Sequence, residues 1–271
     1  MSLSNTATTS TDLYHSYQVI RKDTVPSTNA EAIRLAGQGA THGTVIWARE
    51  QTAGRGRSGR EWISPEGNLY MSLLLTPDVA LEDAGQLSYV AAVSMHRALA
   101  LMLSEHILSG SIRARDADLT LKWPNDLLLN GKKLGGILLE SVVRDGKPEF
   151  VVIGIGVNIL THPEGTNLPA TSIGEIGINA VSAKMLLARF LKCFAEDYRH
   201  WQVSGFAPIA ELWLHHVSFL GEPIKVHLGE RILSGTFETI DAKGALVLRQ
   251  EDGSVEQISA GEIFKDAYGV C

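Results

Sequence analysis

Residues 44–75 read TVIWAREQTAGRGRSGREWISPEGNLYMSLLL, and this stretch leaves the chain few ways to fold. Thr44 to Ala48 alternates β-branched and aromatic residues, which suits a strand, and Asn68 to Leu75 returns as a second one. Between them Gly54, Gly56 and Gly59 break regular structure and let backbone N–H groups come close to a ligand. Arg55, Arg57 and Arg60 are interleaved with these glycines. The loop can therefore wrap an anion with both backbone donors and guanidinium forks.

The run Gly54 to Gly59 matches G-x-G-x-x-G in letters but not in context. A dinucleotide site needs a helix straight after the glycines, so that the pyrophosphate meets the helix N-terminus. Here Trp62-Ile63-Ser64-Pro65-Glu66-Gly67 follows, and Pro65 and Gly67 oppose a helix. No Gly-Lys-Ser/Thr closes the loop, so it is not a Walker A motif. The plain alternative is a solvated, mobile surface loop.

An arginine-rich loop could also belong to a nucleic-acid binder. The formal net charge of −6 argues against that and makes the arginines a local feature. A chain of 271 residues can hold one large domain and a small one. Cys193 and Cys271 cannot build a disulfide framework, and Cys193, in a helical apolar pattern, reads as a buried thiol. No apolar run approaches the roughly 20 residues of a membrane helix. The start MSLSNTATTSTD lacks the basic and apolar parts of a signal peptide. A cytoplasmic protein is expected, with no membrane and no nucleic-acid partner.

Residues 1–15 are rich in Ser and Thr without periodicity, and disorder is expected there. They are too few for a helix-turn-helix. Tyr17 to Lys22 suggests a strand. Val25-Pro-Ser-Thr-Asn29 leads into a helix, with Thr28 and Glu31 at capping-box spacing and Gly37 and Gly39 as stops. Plain capping accounts for Ser27, Thr28 and Asn29 on residue type alone. Leu87 to Leu103 is a long apolar helix.

The second informative block runs from Leu119 to Glu140. Leu119 to Lys122 is strand-like and ends before Pro124. Asn130-Gly131 is a hairpin turn between Leu127–Leu129 and Leu134–Val142. Lys122, Asn125, Asp126 and Lys133 are polar groups set among buried-looking strands, where a charge is costly without a partner. As plain structure, Asp126 would be a turn residue and Lys133 a solvated hairpin lysine. Phe150 to Ile159 is an apolar strand interrupted by Gly154 and Gly156, the kind of interruption that marks close approach of a ligand. Helices are expected over Ser182 to Trp201 and Pro208 to His216. From Gly221 short strands alternate with turns in the manner of a small antiparallel barrel.

Four blocks carry a family resemblance: Ser27-Thr28-Asn29, Gln51 with the Gly54–Arg60 loop, Lys122-Trp-Pro-Asn-Asp126 with Lys133-Leu-Gly-Gly-Ile137, and Gly154-Ile-Gly-Val-Asn158. In order and spacing the chain resembles the biotin protein ligases, in the short form without an N-terminal DNA-binding domain. The resemblance implies an α+β fold: a class II synthetase-like catalytic domain of mixed sheet and helices (16–217) and an SH3-like barrel (218–271). It implies activation of biotin by ATP-Mg²⁺ as biotinyl-5′-AMP, then transfer to one lysine of a biotin carboxyl carrier domain. It also allows a homodimer, which the residues do not show.

The same resemblance distributes roles. Ser27, Thr28, Asn29 and Gln51 would hold biotin's ureido ring and neighbouring atoms. Gly54, Arg55 and Arg57 would form the loop over biotin and adenylate. Gly136, Gly154 and Gly156 would line the biotin site, and Lys133 would meet the biotin carboxylate and the α-phosphate. Arg57, Arg60, Trp62, Lys122, Asn125, Lys133 and Asn158 would face the nucleotide. Lys133, Arg57 and Asp126 would be catalytic; for Asp126, ordering a strand, contacting the metal and assisting the acceptor lysine are all open. No resident metal site is expected, since Mg²⁺ travels with ATP.

The chemistry agrees with this assignment. Adenylation joins two anions, and lysine and arginine neutralise them best where water is scarce. No Ser-His-Asp or Cys-His arrangement and no zinc spacing is present, and His215-His216 is a neighbouring pair facing two directions on a helix. A lipoate ligase of the same architecture is the nearest rival. A non-catalytic nucleic-acid or adenylate-binding module is the rival of another class, disfavoured by net charge and by the lack of aromatics within the Gly54–Arg60 loop.

Overall fold

A computed structural model of the protein describes residues 17–166 and 168–265; the expected disordered tail lies outside them. Three strands and a helix come first: β1 (Gln18–Val25), α1 (Thr28–Ala36), β2 (Thr44–Gln51), β3 (Leu69–Leu75), with a short α2 (Leu81–Ala84) before the long α3 (Leu87–Leu108). The second block supplies β4 (Leu119–Lys122), β5 (Asp126–Leu129), β6 (Lys132–Arg144) and β7 (Lys147–Val157). Helices α4 (Ala183–Ser204) and α5 (Ala207–His216) follow. The chain then enters β8 (Pro223–Leu228), β9 (Arg231–Ile240), β10 (Leu246–Arg249), β11 (Val255–Ile258) and β12 (Glu262–Phe264).

The first seven strands form one mixed sheet in the order β1-β2-β3-β7-β6-β5-β4. β1 and β2 are parallel, and the other pairs are antiparallel. Asn130 and Gly131 both sit at positive φ (53° and 73°), the backbone of the two-residue hairpin that their types favour. Leu69–Leu75 is buried at every position, because the central β3 is covered on both faces. One face carries α3 and α4. The other carries α1, where Ala32 packs with Ile46, Leu74 and Val152.

Helix α3 is apolar nearly all round because α4, α5 and the sheet enclose it. By length and composition the stretch Leu81–Leu108 is long and apolar enough to cross a membrane, so the expectation that no run approached that size is corrected. Here 72% of an 18-residue apolar part of it is buried inside the protein as a core helix. Removing a side chain such as Leu99, fully buried on α3, should cost about 2–5 kcal/mol.

The second sheet is antiparallel, in the order β11-β10-β9-β8-β12. Its interior residues, among them Val226, Phe237 and Leu248, belong to the same apolar cluster as the first sheet's core. The β9–β10 turn is fastened to α2 and α3: Tyr89 Oη donates to Gly244 O, and Lys243 Nζ meets Glu82 at 2.5 Å. A Cβ at Gly244 would strike the Tyr89 ring, which places a glycine there. The small domain is thus pinned with one edge facing the first sheet. That edge is β12, a strand of three residues too short for its sequence pattern to announce.

Candidate functional site

A cavity of about 530 Å³ opens over the sheet where β2, β6 and β7 meet the Arg–Gly loop. Its floor is glycine. In the strand register Gly136 pairs with Gly156, and Gly154 pairs with both Ser72 and Leu138. A Cβ at Gly156 would come within 2.5 Å of the Trp62 indole, and one at Gly154 would fall on the Asn29 amide. Side chains at either position would fill the space, the physical reason for glycine inside a strand.

One end of the cavity is polar and nearly neutral. Ser27, rather than Thr28, caps α1, its Oγ accepting from Ala30 N, and this corrects the expected capping box. Thr28 and Asn29 are free of that duty and turn into the sheet. Thr28 N and Oγ1 donate to Gln51 Oε1 at 2.8 and 3.1 Å. Ser72 Oγ lies 2.5 Å from Asn29 Oδ1 and 2.8 Å from Thr28 Oγ1, so its single proton serves one of the two at a time. Asn29 Nδ2 donates to Glu140 Oε2 at 2.7 Å and Leu138 O at 3.3 Å. Capping explains Ser27 only; Thr28 and Asn29 belong to the cavity.

The other end is charged. Lys133 Nζ lies 2.6 Å from Asp126 Oδ1 and over the Trp62 ring at 5.6 Å. Asp126 is 7% exposed and sits on β5, where it faces Gly136 of β6. Arg57 reaches Asn125 Oδ1 at 3.4 Å, while Asn125 Nδ2 holds Ile137 O at 2.6 Å. Burial pushes the Arg57 guanidinium below its usual range, opposed by Asp126; guanidinium stays protonated in any case. Arg60 makes a bidentate pair with Glu262 of β12, at 2.8 and 2.5 Å. Burial works against ionisation of Glu262, but Arg60 outweighs it and holds the carboxyl below its usual range.

Lys122 is 2% exposed and lies behind this wall, 5.1 Å from the Phe264 ring centre. Burial pushes its ammonium down, against the pull of Asp126 and Glu262. No carboxylate of the described residues lies within ion-pair distance of it.

Most of the residues expected from the sequence therefore converge: Ser27, Thr28, Asn29, Gln51, Arg55, Arg57, Arg60, Trp62, Asn125, Asp126, Lys133, Gly136, Gly154 and Gly156 all line the one cavity. Three do not. Gly54 backs onto the loop's return limb, where a Cβ would lie 2.6 Å from Ser64 Oγ, and Lys122 stands behind the wall. Asn158 lines an adjoining cavity of about 290 Å³, which shares Lys133, Asp126 and Trp62 with the first. Its Nδ2 donates to Thr171 O at 3.0 Å, and its buried Oδ1 has no partner. His216 stacks on His96 at 3.9 Å where α5 packs on α3, and neither lines the cavity.

Sequence reasoning missed Ser72, Glu140 and Glu262. Ser72 was visible as the one small polar residue within LYMSLLL, and Glu140 as the charge closing GGILLE. Nothing in the sequence marked Glu262, which reaches the cavity only through docking of the small domain.

Comparison with known proteins places these features in a family. Residues 21–158 match the model of the biotin/lipoate A/B protein ligase family, and residues 219–266 match that of the biotin protein ligase C terminal domain. A biotin–[acetyl-CoA-carboxylase] ligase from Paracoccus denitrificans is 42% identical over 248 residues, 88% of this chain and 96% of that protein. Biotin protein ligase from Aquifex aeolicus, solved in complex with biotin and ATP, superposes with a TM-score of 0.72 at 31% identity, covering 91% of this chain and 97% of that one. The Leishmania major enzyme with biotinyl-5-AMP gives 0.56 at 28% identity, covering 89% and 98%.

Proposed function

This chain belongs to the biotin/lipoate A/B protein ligase family, and from that premise we propose that it is a biotin protein ligase: it activates biotin with ATP as biotinyl-5′-AMP and passes the acyl group to a lysine of a biotin carboxyl carrier domain. The observation that carries the reading is one cavity with two unlike ends, amides and hydroxyls at one and lysine and arginine at the other. Biotin is built the same way, with a neutral ureido ring at one end and a carboxylate at the other.

In the first step a carboxylate oxygen of biotin attacks the α-phosphorus of ATP and pyrophosphate leaves. Ser27, Thr28, Asn29 and Gln51 hold the ureido ring, and the glycine floor passes the tail. Lys133 brings the two anions together; before they arrive Asp126 holds its ammonium in place. Arg57 and Arg60 offset the charge that develops at phosphorus. In the second step the acceptor amine attacks the acyl carbon and AMP leaves. The Arg–Gly loop covers the adenylate against water until then.

Lys122 supports the nucleotide end from behind, Gly54 lets the loop fold back on itself, and Asn158 serves the nucleotide through the smaller cavity. Mg²⁺ enters with the ATP phosphates; among the described residues no cluster of three or more His, Cys, Asp or Glu could hold it. We assign residues 16–217 to catalysis and 218–271 to the small domain, and place the enzyme in the cytoplasm, with acetyl-CoA carboxylase's carrier domain as partner and a homodimer as its assembly.

The test is transfer of biotin to a purified carrier domain, with and without ATP-Mg²⁺, read as a mass shift. An ATP-dependent, biotin-sized shift is expected. A shift with lipoate on a lipoyl domain and none with biotin would overturn the substrate.

A further inference from the structure

We propose that Glu140 is a positioning residue that latches the Arg–Gly loop to the floor of the biotin end of the cavity. One carboxylate oxygen, Oε2, accepts from Asn29 Nδ2 at 2.7 Å and from Arg55 Nη2 at 2.8 Å. Asn29 belongs to the polar end of the cavity, and Arg55 to the loop above it. Among the described residues the carboxylate is the one group hydrogen-bonded to both side chains.

The local structure explains why it stands there. Side chains alternate along a strand, so Gly136, Leu138 and Glu140 share one face of β6. The first two line the cavity and the third stands at its rim. An ionised carboxylate is acceptor-only, so it can take both donors without competing for a proton.

Glu140 also fixes which way Asn29 faces. Nδ2 points to Glu140 and Leu138 O, and Oδ1 accepts from Ser72. A reversed amide would set its oxygen against two acceptors. Beside Asn29 the polar contacts run through Ser72, whose one proton alternates between Asn29 and Thr28, and on through Thr28 and Gln51 to Ser64, whose Oγ donates to Trp62 O at 2.7 Å. The loop is thereby tied at both limbs, at Arg55 directly and at Trp62 through the relay.

The Arg55 side chain is 46% exposed and that of Glu140 27%. A pair so open to water contributes little to the stability of the empty protein. Once biotin and nucleotide fill the cavity and water leaves, the same pair strengthens. The latch therefore acts on the loaded enzyme and slows escape of the adenylate.

This inference rests on the proposed activity, and the experiment separates the two. Full-length wild type, Glu140→Gln, Glu140→Asp, Arg55→Gln and the Glu140→Gln/Arg55→Gln double variant are given biotin and ATP-Mg²⁺ without acceptor. Release of biotinyl-5′-AMP, the biotin KM, kcat for pyrophosphate exchange and thermal stability are read. Glutamine keeps an acceptor for Asn29 but offers Arg55 no charge. Adenylate release should rise about three- to ten-fold, with a higher KM, kcat at saturation within about two-fold and unchanged melting. Aspartate, which keeps the charge, should recover part of the loss. In the Arg55→Gln background the Glu140→Gln change should add less than about two-fold. Unchanged release in Glu140→Gln, full additivity with Arg55→Gln, or a loss that simply follows a fall in melting temperature would each overturn the latch. A wild type that forms no adenylate would overturn the proposed function and the latch with it.

Discussion

Gly154→Ala is the sharpest perturbation that the geometry offers. The change adds one methyl group to a buried strand. Placed on the existing backbone, the new Cβ would overlap Asn29 Oδ1 and lie 2.8 Å from Asn29 Cγ and 3.0 Å from Nδ2. Ordinary contact would require the amide to retreat by roughly 1 Å, a step that well-packed interiors resist. Asn29 has nowhere to go without breaking its bonds to Ser72, Glu140 and Leu138 O. Losing two of these leaves buried groups unpaired at about 1–3 kcal/mol each, and alanine returns about 0.5–1 kcal/mol over glycine in a strand. The net loss is about 1–5 kcal/mol, which is roughly 5- to 4,000-fold in biotin KM if the amide swings into the cavity. Biotin-dependent ATP–pyrophosphate exchange measures it, and urea unfolding measures the part that falls on stability. Gly136→Ala is the control. Its Cβ would meet nothing in the protein nearer than Trp62 Cζ3 at 3.6 Å, so its urea stability should stay near that of the wild type. A Gly154→Ala enzyme with wild-type KM and stability, or a Gly136→Ala enzyme equally destabilised, would refute the steric argument.

Arg57→Gly should raise adenylate release at least about ten-fold while melting changes little, because among the described residues the side chain's one hydrogen bond is the 3.4 Å contact to Asn125; an unchanged off-rate would contradict the loop's gating role. Lys122→Met should stabilise the protein by about 1 kcal/mol or more, since it removes a buried ammonium without an ion-pair partner, and should slow adenylation at least about ten-fold; a destabilised variant in urea would show that the ammonium is satisfied. His96 gives a pH signature. Burial, helped by His216, pushes it down to about 4, so the unfolded chain takes up a proton that the folded protein refuses. Its contribution is fully present above the ordinary imidazole range and is lost as pH falls toward 4, about 2 kcal/mol between pH 7.5 and 5. His96→Gln should flatten that part of the melting profile, and an unaltered slope would place the titration elsewhere.

Much of the site was legible because its chemistry sits in short runs. Gly54–Arg60, Lys122–Asp126 and Gly154–Asn158 are each written by neighbouring residues, and glycine or charge inside an apolar strand is visible without any structure. Thr28 was harder. Its residue type and spacing fit a cap, and only the structure shows Ser27 capping while Thr28 turns to Gln51. Lys122 looked like a ligand-facing lysine, yet it lies behind the wall over Phe264. A strand pattern tells which face a side chain takes but not what the neighbouring domain lays across it.

The sequence alone determined the elements. Alternation in β2 and β3, the Asn130-Gly131 turn and the apolar run of α3 are local, because backbone preference and periodicity act over a few residues. It also determined which groups could do the chemistry. Only the tertiary structure decided the order β3-β7-β6, which sets Gly154 against Ser72 and Gly136 against Gly156 and so opens the cavity floor. Only it brought Glu140 to Asn29 and Arg55, and Glu262 across to Arg60. These contacts join residues far apart in the chain. They arise from burial of a shared core, which is non-directional and leaves no mark at either residue.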